Sequence, residues 1–294
     1  LSKRILFQFD GDDHPSSFDA VVAIDSEIDH LVSYGQVHPS SVRPLVHGCM
    51  FTRGGDDLRH TAIFIGGSDV DAAEHLLHCV TETFFGPVRV SVMLDANGCN
   101  TTAAAAVVAA SRHIALDGAR AVVLGGTGPV GQRVARLLAS DGAAVSLTSR
   151  SLDRAQEACD AIGKHIQKGS VSAAQAATRE QTADILQDAQ IVIACGAAGV
   201  ELANEETIRG VKSLAVAIDL NAVPPAGIGG IGAMDKAKAI GSGVGYGAIG
   251  VGGLKMKTHK AAIKSLFTSN DLVLDADEIF AMAKSVESGK ASDV

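Results

Sequence analysis

The sequence predicts an α/β fold in two lobes with a cleft between them. Three observations carry that prediction. At 294 residues the chain exceeds the roughly 100 to 200 residues of one compact domain. Short apolar runs alternate with amphipathic stretches, strand then helix, which is how a largely parallel sheet with crossover connections reads. Apolar residues make up 47% of the chain, with 32 glycines and no tryptophan, a composition that suits helices packed closely on a sheet rather than a disordered chain.

Taken in order, "RILFQF", "HLVSYG", "TAIFIGG" and "VRVSVML" read as strands, and residues 15–25, 39–50, 69–84 and 100–115 as helices between them. At "ALDGARAVVLGG" a helix ends, Asp117 and Gly118 make a turn, and a new strand runs straight into glycines. The first lobe is therefore expected to span residues 1–117 and the second 118–257, with helices of 258–294 returning to complete the first. "AAVSLTSR", "AQIVIACG" and "SLAVAIDL" continue the second lobe as strands, with 171–187 read as a helix of unfixed start. The stretch from Asn221 to Lys260 carries many glycines and two prolines, too many for regular elements, and such a stretch in an α/β protein commonly lines a ligand. "KMKTHKAAIKSLF" and "DADEIFAMAKSV" close the chain as helices.

Charge and cysteine usage narrow the function classes. With 25 basic against 33 acidic side chains the net charge is −8, which argues against a broad surface for nucleic acid or anionic membrane. An anionic ligand must then meet a local basic cluster. The five cysteines, Cys49, Cys79, Cys99, Cys159 and Cys195, form no CxxC pair and are odd in number, so neither a disulfide framework nor a zinc knuckle is expected and a reducing cytoplasm is the natural setting. No apolar run reaches membrane-spanning length, and "LSKRILFQFD" has no secretory leader pattern.

The most specific chemistry lies in "AVVLGGTGPVGQRVARLLASDGAAV", where Gly126, Gly128 and Gly131 form a G-x-G-x-x-G between a strand and a helix. That spacing supplies a tight turn, close backbone approach to a pyrophosphate, and helix N–H groups aimed at its charge. With its strand, its helix and a second strand at the right distance, it marks a Rossmann-type dinucleotide-binding domain. Thr127, Pro129 and Val130 fill the turn. The second strand ends at Ser149, Arg150 and Ser151. An acid there would bond a ribose 2′-hydroxyl, whereas an arginine and hydroxyls accept a 2′-phosphate, so the turn leans toward NADP. Arg154, one helical turn on, can reinforce the charge. The plain alternative is a capping serine followed by a surface arginine. Cys195, after a later strand, is expected to line the cofactor through its backbone, and Asn221 to complete the set.

In the first lobe, "DANGCNTT" follows a strand and opens a helix. Asp95, Asn97, Asn100, Thr101 and Thr102 thus stand at a strand's carboxyl end, where open α/β sheets bind ligands; helix capping by Asn100 is the competing account. Lys255, Lys257, His259 and Lys260 form the strongest basic cluster of an acidic chain, suited to a phosphate or an acidic tail or else to an exposed helix face. Lys255 and Lys257, beside the glycines, are the better candidates for the cleft. His75, His78 and Cys79 have no further ligand at metal spacing. Asp10, Asp12 and Asp13 read as a loop leading to Pro15 rather than a calcium site. No metal is expected.

Several idiosyncratic strings now converge: "FQFDGDDHPSSFDAVVAID", "TRGG", "TAIFIGGSD", "FFGPVRVSVMLDANGCNTTAAAA", "GGTGPVG", "PPAGIGGI" and "GAIGVGGLKMKTHK". The chain resembles the bacterial NAD(P)-dependent methylenetetrahydromethanopterin dehydrogenases, from its first strand to its final helices. The resemblance implies reversible oxidation of methylenetetrahydromethanopterin to the methenyl form, with NADP or NAD as hydride acceptor, during formaldehyde oxidation. It implies a pterin domain and a nucleotide domain, and a homo-oligomer, trimer or hexamer. It also implies that Asp19 sets a carboxylate near the developing cation, with Phe18 against the pterin. Such a hydride transfer leaves a resonance-stabilised cation and moves no proton, so the chemistry asks for placement and water exclusion rather than a general acid or base. A methylenetetrahydrofolate dehydrogenase and a non-catalytic NADP(H) sensor are the competing readings.

Overall fold

In the computed structural model, which describes residues 2–289, the chain divides into two compact units. One runs to Thr101 and resumes at Met256; the other is Thr102–Lys255. Two long helices, at 99–111 and 248–265, run across that division.

The first unit begins β1 (Ile5–Phe9), α1 (Ser17–Ile24), β2 (His30–Tyr34), α2 (Val42–Met50), β3 (Thr61–Ile65), α3 (Val70–Thr83), β4 (Ser91–Leu94) and the start of α4 (Cys99–Ser111). Side-chain oxygens fix where helices start: Ser16 accepts from the Asp19 amide and Asp69 from that of Ala72. The middle of α4 is alanine and valine and is buried on every side from Ala103 to Ala110, as an all-apolar helix must be.

The second unit continues with β5 (Arg120–Leu124), α5 (Pro129–Ser140), β6 (Ala144–Ser149), α6 (Leu152–Gly163), β7 (Ser170–Gln175), α7 (Arg179–Leu186), β8 (Ile191–Ala194), α8 (Glu205–Gly210), β9 (Val216–Asp219), β10 (Lys238–Ile240), β11 (Gly243–Tyr246) and the main part of α9 (Ala248–Ser265). Then β12 (Val273–Leu274) and α10 (Ala276–Glu287) return to the first unit.

The first sheet has the order β12-β4-β3-β1-β2 and every pairing in it is parallel. Its inner strand β3, "TAIFI", is buried at all five positions, the continuous apolar run that a strand covered on both faces requires. The second sheet has the order β10-β11-β9-β8-β5-β6-β7, parallel except for the β10–β11 edge. The chain moves outward from β5 to β6 and β7, then crosses back to lay β8 on the other side of β5. That reversal makes the carboxyl ends of β5 and β8 a topological switch point, where sheets of this kind hold ligands.

Two expectations are corrected. Residues 171–187 are not one helix: 170–175 form β7, and the helix begins at Arg179 behind a Thr178–Gln181 capping box. "SVSAAQ" is an edge strand of mixed exposure whose small side chains give almost no alternation to read. The glycine-rich stretch also holds regular structure, namely β10, β11 and the first turns of α9, which starts seven residues before "KMKTHK". Close packing explains its glycines: a Cβ on Gly250 would lie 1.9 Å from the Asp235 carbonyl oxygen, and one on Gly243 2.7 Å from that of Ala215.

Candidate functional site

The glycine turn builds a pocket in the second unit. After β5, Gly125 takes a left-handed conformation (φ +64°) that only glycine adopts cheaply. A Cβ on Gly126 would lie 2.7 Å from Leu147 Cγ, and one on Gly131 2.6 Å from Gly126 Cα and 2.7 Å from its carbonyl oxygen. Gly131 therefore lets α5 press onto the turn, and Gly126 lets the turn press onto β5 and β6. Gly128 differs, having open space where a side chain would be; it precedes Pro129 at the start of α5, and no side chain caps that helix. The first-turn N–H groups of α5 are left for an anion.

Gly131→Ala is accordingly expected to lower stability by about 1–3 kcal/mol, the usual cost of forcing extra volume into a packed site, and to weaken nucleotide binding with it. Denaturant midpoints and NADP titration would read both, and an unchanged pair would show that the turn gives way freely.

From this turn opens a pocket of about 620 Å³, ample for a dinucleotide's adenosine half. It gathers Thr127, Gly128, Ser149, Arg150, Ser151, Arg154 and Cys195 from the expected set. Gly126, Pro129, Val130 and Gly131 lie in the turn and helix start beside it and do not line it. Ser151 caps α6, its hydroxyl accepting from the Arg154 amide at 3.4 Å, and its own amide donates to Ser149 Oγ at 3.3 Å. Ser151 thus both caps α6 and lines the pocket. Gln175 Nε2 holds the Arg150 carbonyl at 3.0 Å, fixing the backbone while the guanidinium stays exposed. No carboxylate lines the pocket. Burial, and then the charge of Asp219, push the Cys195 thiol far above its ordinary range, so it stays protonated and offers no nucleophile. Ala176, Thr182 and Leu202 also line the pocket, though no motif in the sequence marks them.

Asn221 stands elsewhere. Its side chain accepts from the Val223 amide at 3.0 Å and donates to the Pro225 carbonyl at 3.1 Å, stapling its own loop, and it does not line the pocket.

In the first unit the structure reassigns three of the polar candidates. Asp95, Asn100 and Thr101 are each 0% exposed. Asp95 Oδ1 accepts from the amides of Asn100 and Thr101 at 2.9 and 3.0 Å, and Oδ2 from the Thr101 hydroxyl at 2.6 Å. Asn100 Nδ2 donates to the Leu94 carbonyl and to Asp275. These groups are spent on starting α4 and anchoring α10, which leaves no polar surface for a ligand. Asn97, exposed and at φ 51°, and partly exposed Thr102 remain accessible.

The basic cluster separates in the same way. His259 is buried, stacked on Phe64 at 5.6 Å with Nδ1 3.9 Å from Asp95 Oδ2. Lys260 pairs with Asp25 at 2.8 Å. Lys257 is exposed and Lys255 partly so.

Asp19 lies partly exposed on α1. A Cβ on Gly66 would come within 3.3 Å of an Asp10 carboxylate oxygen and 3.6 Å of one from Asp19, so both carboxylates gather at the carboxyl end of β3. Phe18 beside it is 52% exposed. The neighbouring acids are occupied: Asp10 accepts from the Asp12 and Ser16 amides, and Asp12 from the Ser68 amide and hydroxyl. Among the described residues no group of three or more His, Cys, Asp or Glu side chains could hold a metal ion, and no helix is long and apolar enough to cross a membrane.

Comparison with known proteins places this geometry in context. Residues 17–97 match the family described as methylene-tetrahydromethanopterin dehydrogenase, N-terminal. The chain is 47% identical over 286 residues to the bifunctional protein MdtA of Methylorubrum extorquens, covering 97% of this chain and 99% of that one. It is 30% identical over 292 residues to the NAD(P)-dependent methylenetetrahydromethanopterin dehydrogenase of the same organism, covering 96% and 98%. Among solved structures, the ligand-free 5-ketofructose reductase of Gluconobacter sp. strain CHM43 superposes with TM-score 0.56 at 14% identity, over 97% of this chain and 99% of that one. Quinate dehydrogenase from Corynebacterium glutamicum in complex with NAD does so with TM-score 0.55 at 14% identity, over 98% and 100%. These last two likenesses are of fold.

Proposed function

The chain belongs to the methylenetetrahydromethanopterin dehydrogenase family, and on that footing we propose that it transfers a hydride reversibly from methylenetetrahydromethanopterin to NADP or NAD, within formaldehyde oxidation. The observation that carries this reading is the uncapped start of α5, opening through Gly128 into a pocket with two arginines and no carboxylate. Those residues fit a dinucleotide: amides for the pyrophosphate, Ser149 and Arg150 with Arg154 for the adenosine ribose and its 2′-phosphate. When bound, the nicotinamide supplies the hydride acceptor.

The protein's share is placement. Backbone and arginines orient the nucleotide, and the unit built on β1 to β4 takes the pterin, with Phe18 against the ring and Asp19 offsetting the positive charge left on the substrate. Asn97 and Lys257, of that same unit, serve its polar tail. The enzyme works as a homo-oligomer in the cytoplasm. No proton leaves the reacting carbon, so no acid or base is assigned, and binding energy is spent on orientation and water exclusion.

Absorbance of nicotinamide reduction tests this, with methylenetetrahydromethanopterin as substrate, NADP and NAD in parallel, and methylenetetrahydrofolate as control. Turnover with the methanopterin substrate is expected. Nucleotide binding without turnover on either pterin would replace the enzyme by a nucleotide sensor.

A further inference from the structure

Asp219 ends β9 with a side chain only 1% exposed. Both carboxylate oxygens are committed to backbone: Oδ1 accepts from the Asn221 amide at 3.0 Å and Oδ2 from that of Ile228 at 3.1 Å, with the Gly227 amide turned to it as well. Asn221 clamps the middle of the same segment through Val223 and Pro225. The segment's far end is tied down too, the Gly227 carbonyl accepting from the amides of Leu202 and Ala203 at 2.8 and 3.2 Å. Leu202 lines the nucleotide pocket, so segment 220–228, which does not itself line that pocket, is anchored to a residue of its wall.

This arrangement carries a cost that a surface turn would not need. Burial pushes the Asp219 carboxyl above the ordinary carboxylate range although three amides stabilise its charge. There is no slack either: a Cβ on Gly227 would lie 2.8 Å from Asp219 Oδ1 and 3.3 Å from Ala194 Cβ. Position gives the expense a purpose. A dinucleotide lies across a switch point with one half on each side. Its adenosine half belongs with Ser149, Arg150 and Arg154 at the end of β6 and the start of α6. The nicotinamide half then falls on the side of β8 and β9, where Asp219 pairs in register with Ala194.

We propose that Asp219 and Asn221 are positioning residues for hydride transfer, holding segment 220–228 as the wall that fixes the nicotinamide ring. The inference rests on the dinucleotide reading above. Neither side chain touches the reacting carbons; each acts through the backbone it holds.

The test compares Asp219→Asn and Asn221→Ala with the unaltered protein. Asparagine keeps the volume and one acceptor of Asp219 but sets an amino group against the other amide. Since a misplacement of about 1 Å costs roughly 100-fold in rate, Asp219→Asn is expected to lower kcat by roughly 10- to 100-fold, with Asn221→Ala milder in the same direction. Affinity for ADP-ribose, which is NAD without its nicotinamide, should stay unchanged in calorimetry, while the emission of bound NADPH shifts. Amide hydrogen exchange at 221–228 should quicken. Unchanged kcat and NADPH emission in both variants would overturn the proposal. So would loss of ADP-ribose binding in step with kcat in both, since that is a defect of the whole unit. Should the unaltered protein turn over no pterin, the functional reading falls alone, and the NADPH and ADP-ribose measurements still decide the role of these residues.

Discussion

Asp95→Ala is expected to lower unfolding stability by about 3–5 kcal/mol, the range seen when one member of a buried charged network is deleted. The carboxylate is 0% exposed and serves three donors at once: two amides at the start of α4 and the Thr101 hydroxyl. Alanine would leave all three without an acceptor in a place water does not reach, and each such group costs about 1–3 kcal/mol. His259, 3.9 Å away, would lose its neighbouring charge as well. Against a total stability of about 5–15 kcal/mol the loss is severe. Asp95→Asn should cost much less, because the amide oxygen can still cap the helix and the Thr101 hydroxyl can turn to accept from the new amino group. Equilibrium denaturation of both variants reads the difference. The result also separates two roles: a ligand-binding aspartate would yield a stable alanine variant with weakened substrate affinity, whereas a folding aspartate gives the reverse. A loss below about 1 kcal/mol would remove the folding role.

The case of Asp95 shows where the sequence was legible and where it was not. "TAIFI" and the G-x-G-x-x-G turn announce themselves because their constraint is local: an inner parallel strand must be apolar throughout, and a turn pressed against a helix must be glycine. Thus β1 to β4, the helices between them and the nucleotide turn were readable in order, down to Arg150 and Ser151 at the pocket's rim. "DANGCNTT" was readable as a strand end opening a helix. Whether its polar groups face a ligand or one another depends on β12, α9 and α10, which come back from more than 150 residues away to bring Asp275 onto Asn100 and His259 near Asp95. Local pattern cannot supply that. Segment 170–175 failed for another reason. Its alanines and serines bury too little to alternate visibly, and its strand identity comes from six residues of pairing with β6. The glycines of 227–250 suggested a ligand, yet those at Gly243 and Gly250 answer to the backbone of 215 and 235. Asp219 left no sequence signal, since its partners are amides.

Arg150→Ala is expected to raise KM for NADP by roughly 10- to 100-fold, the range for losing a hydrogen bond to a charged group, and to leave KM for NAD nearly unchanged. The reasoning is subtractive. Phosphate on the adenosine ribose is the one feature distinguishing the two nucleotides, so only groups at the end of β6 can tell them apart. There the pocket offers Ser149, Arg150, Ser151 and Arg154 and no carboxylate that would repel the phosphate or select a free 2′-hydroxyl. Ser151 already caps α6, which leaves Arg150 as the exposed cation and Arg154 as its reserve one helical turn on. Because the Arg150 guanidinium is exposed, part of its effect is screened, and the selectivity it confers should shrink as ionic strength rises. Arg154→Ala should show the same sign with a smaller amplitude, and the double variant should prefer neither nucleotide. Initial rates against each nucleotide at two salt concentrations measure all of this. Equal effects of Arg150→Ala on NADP and NAD would move Arg150 from the phosphate to the adenine ring or to the fold, and the choice of nucleotide would then have to come from Arg154 and the amides at the start of α6.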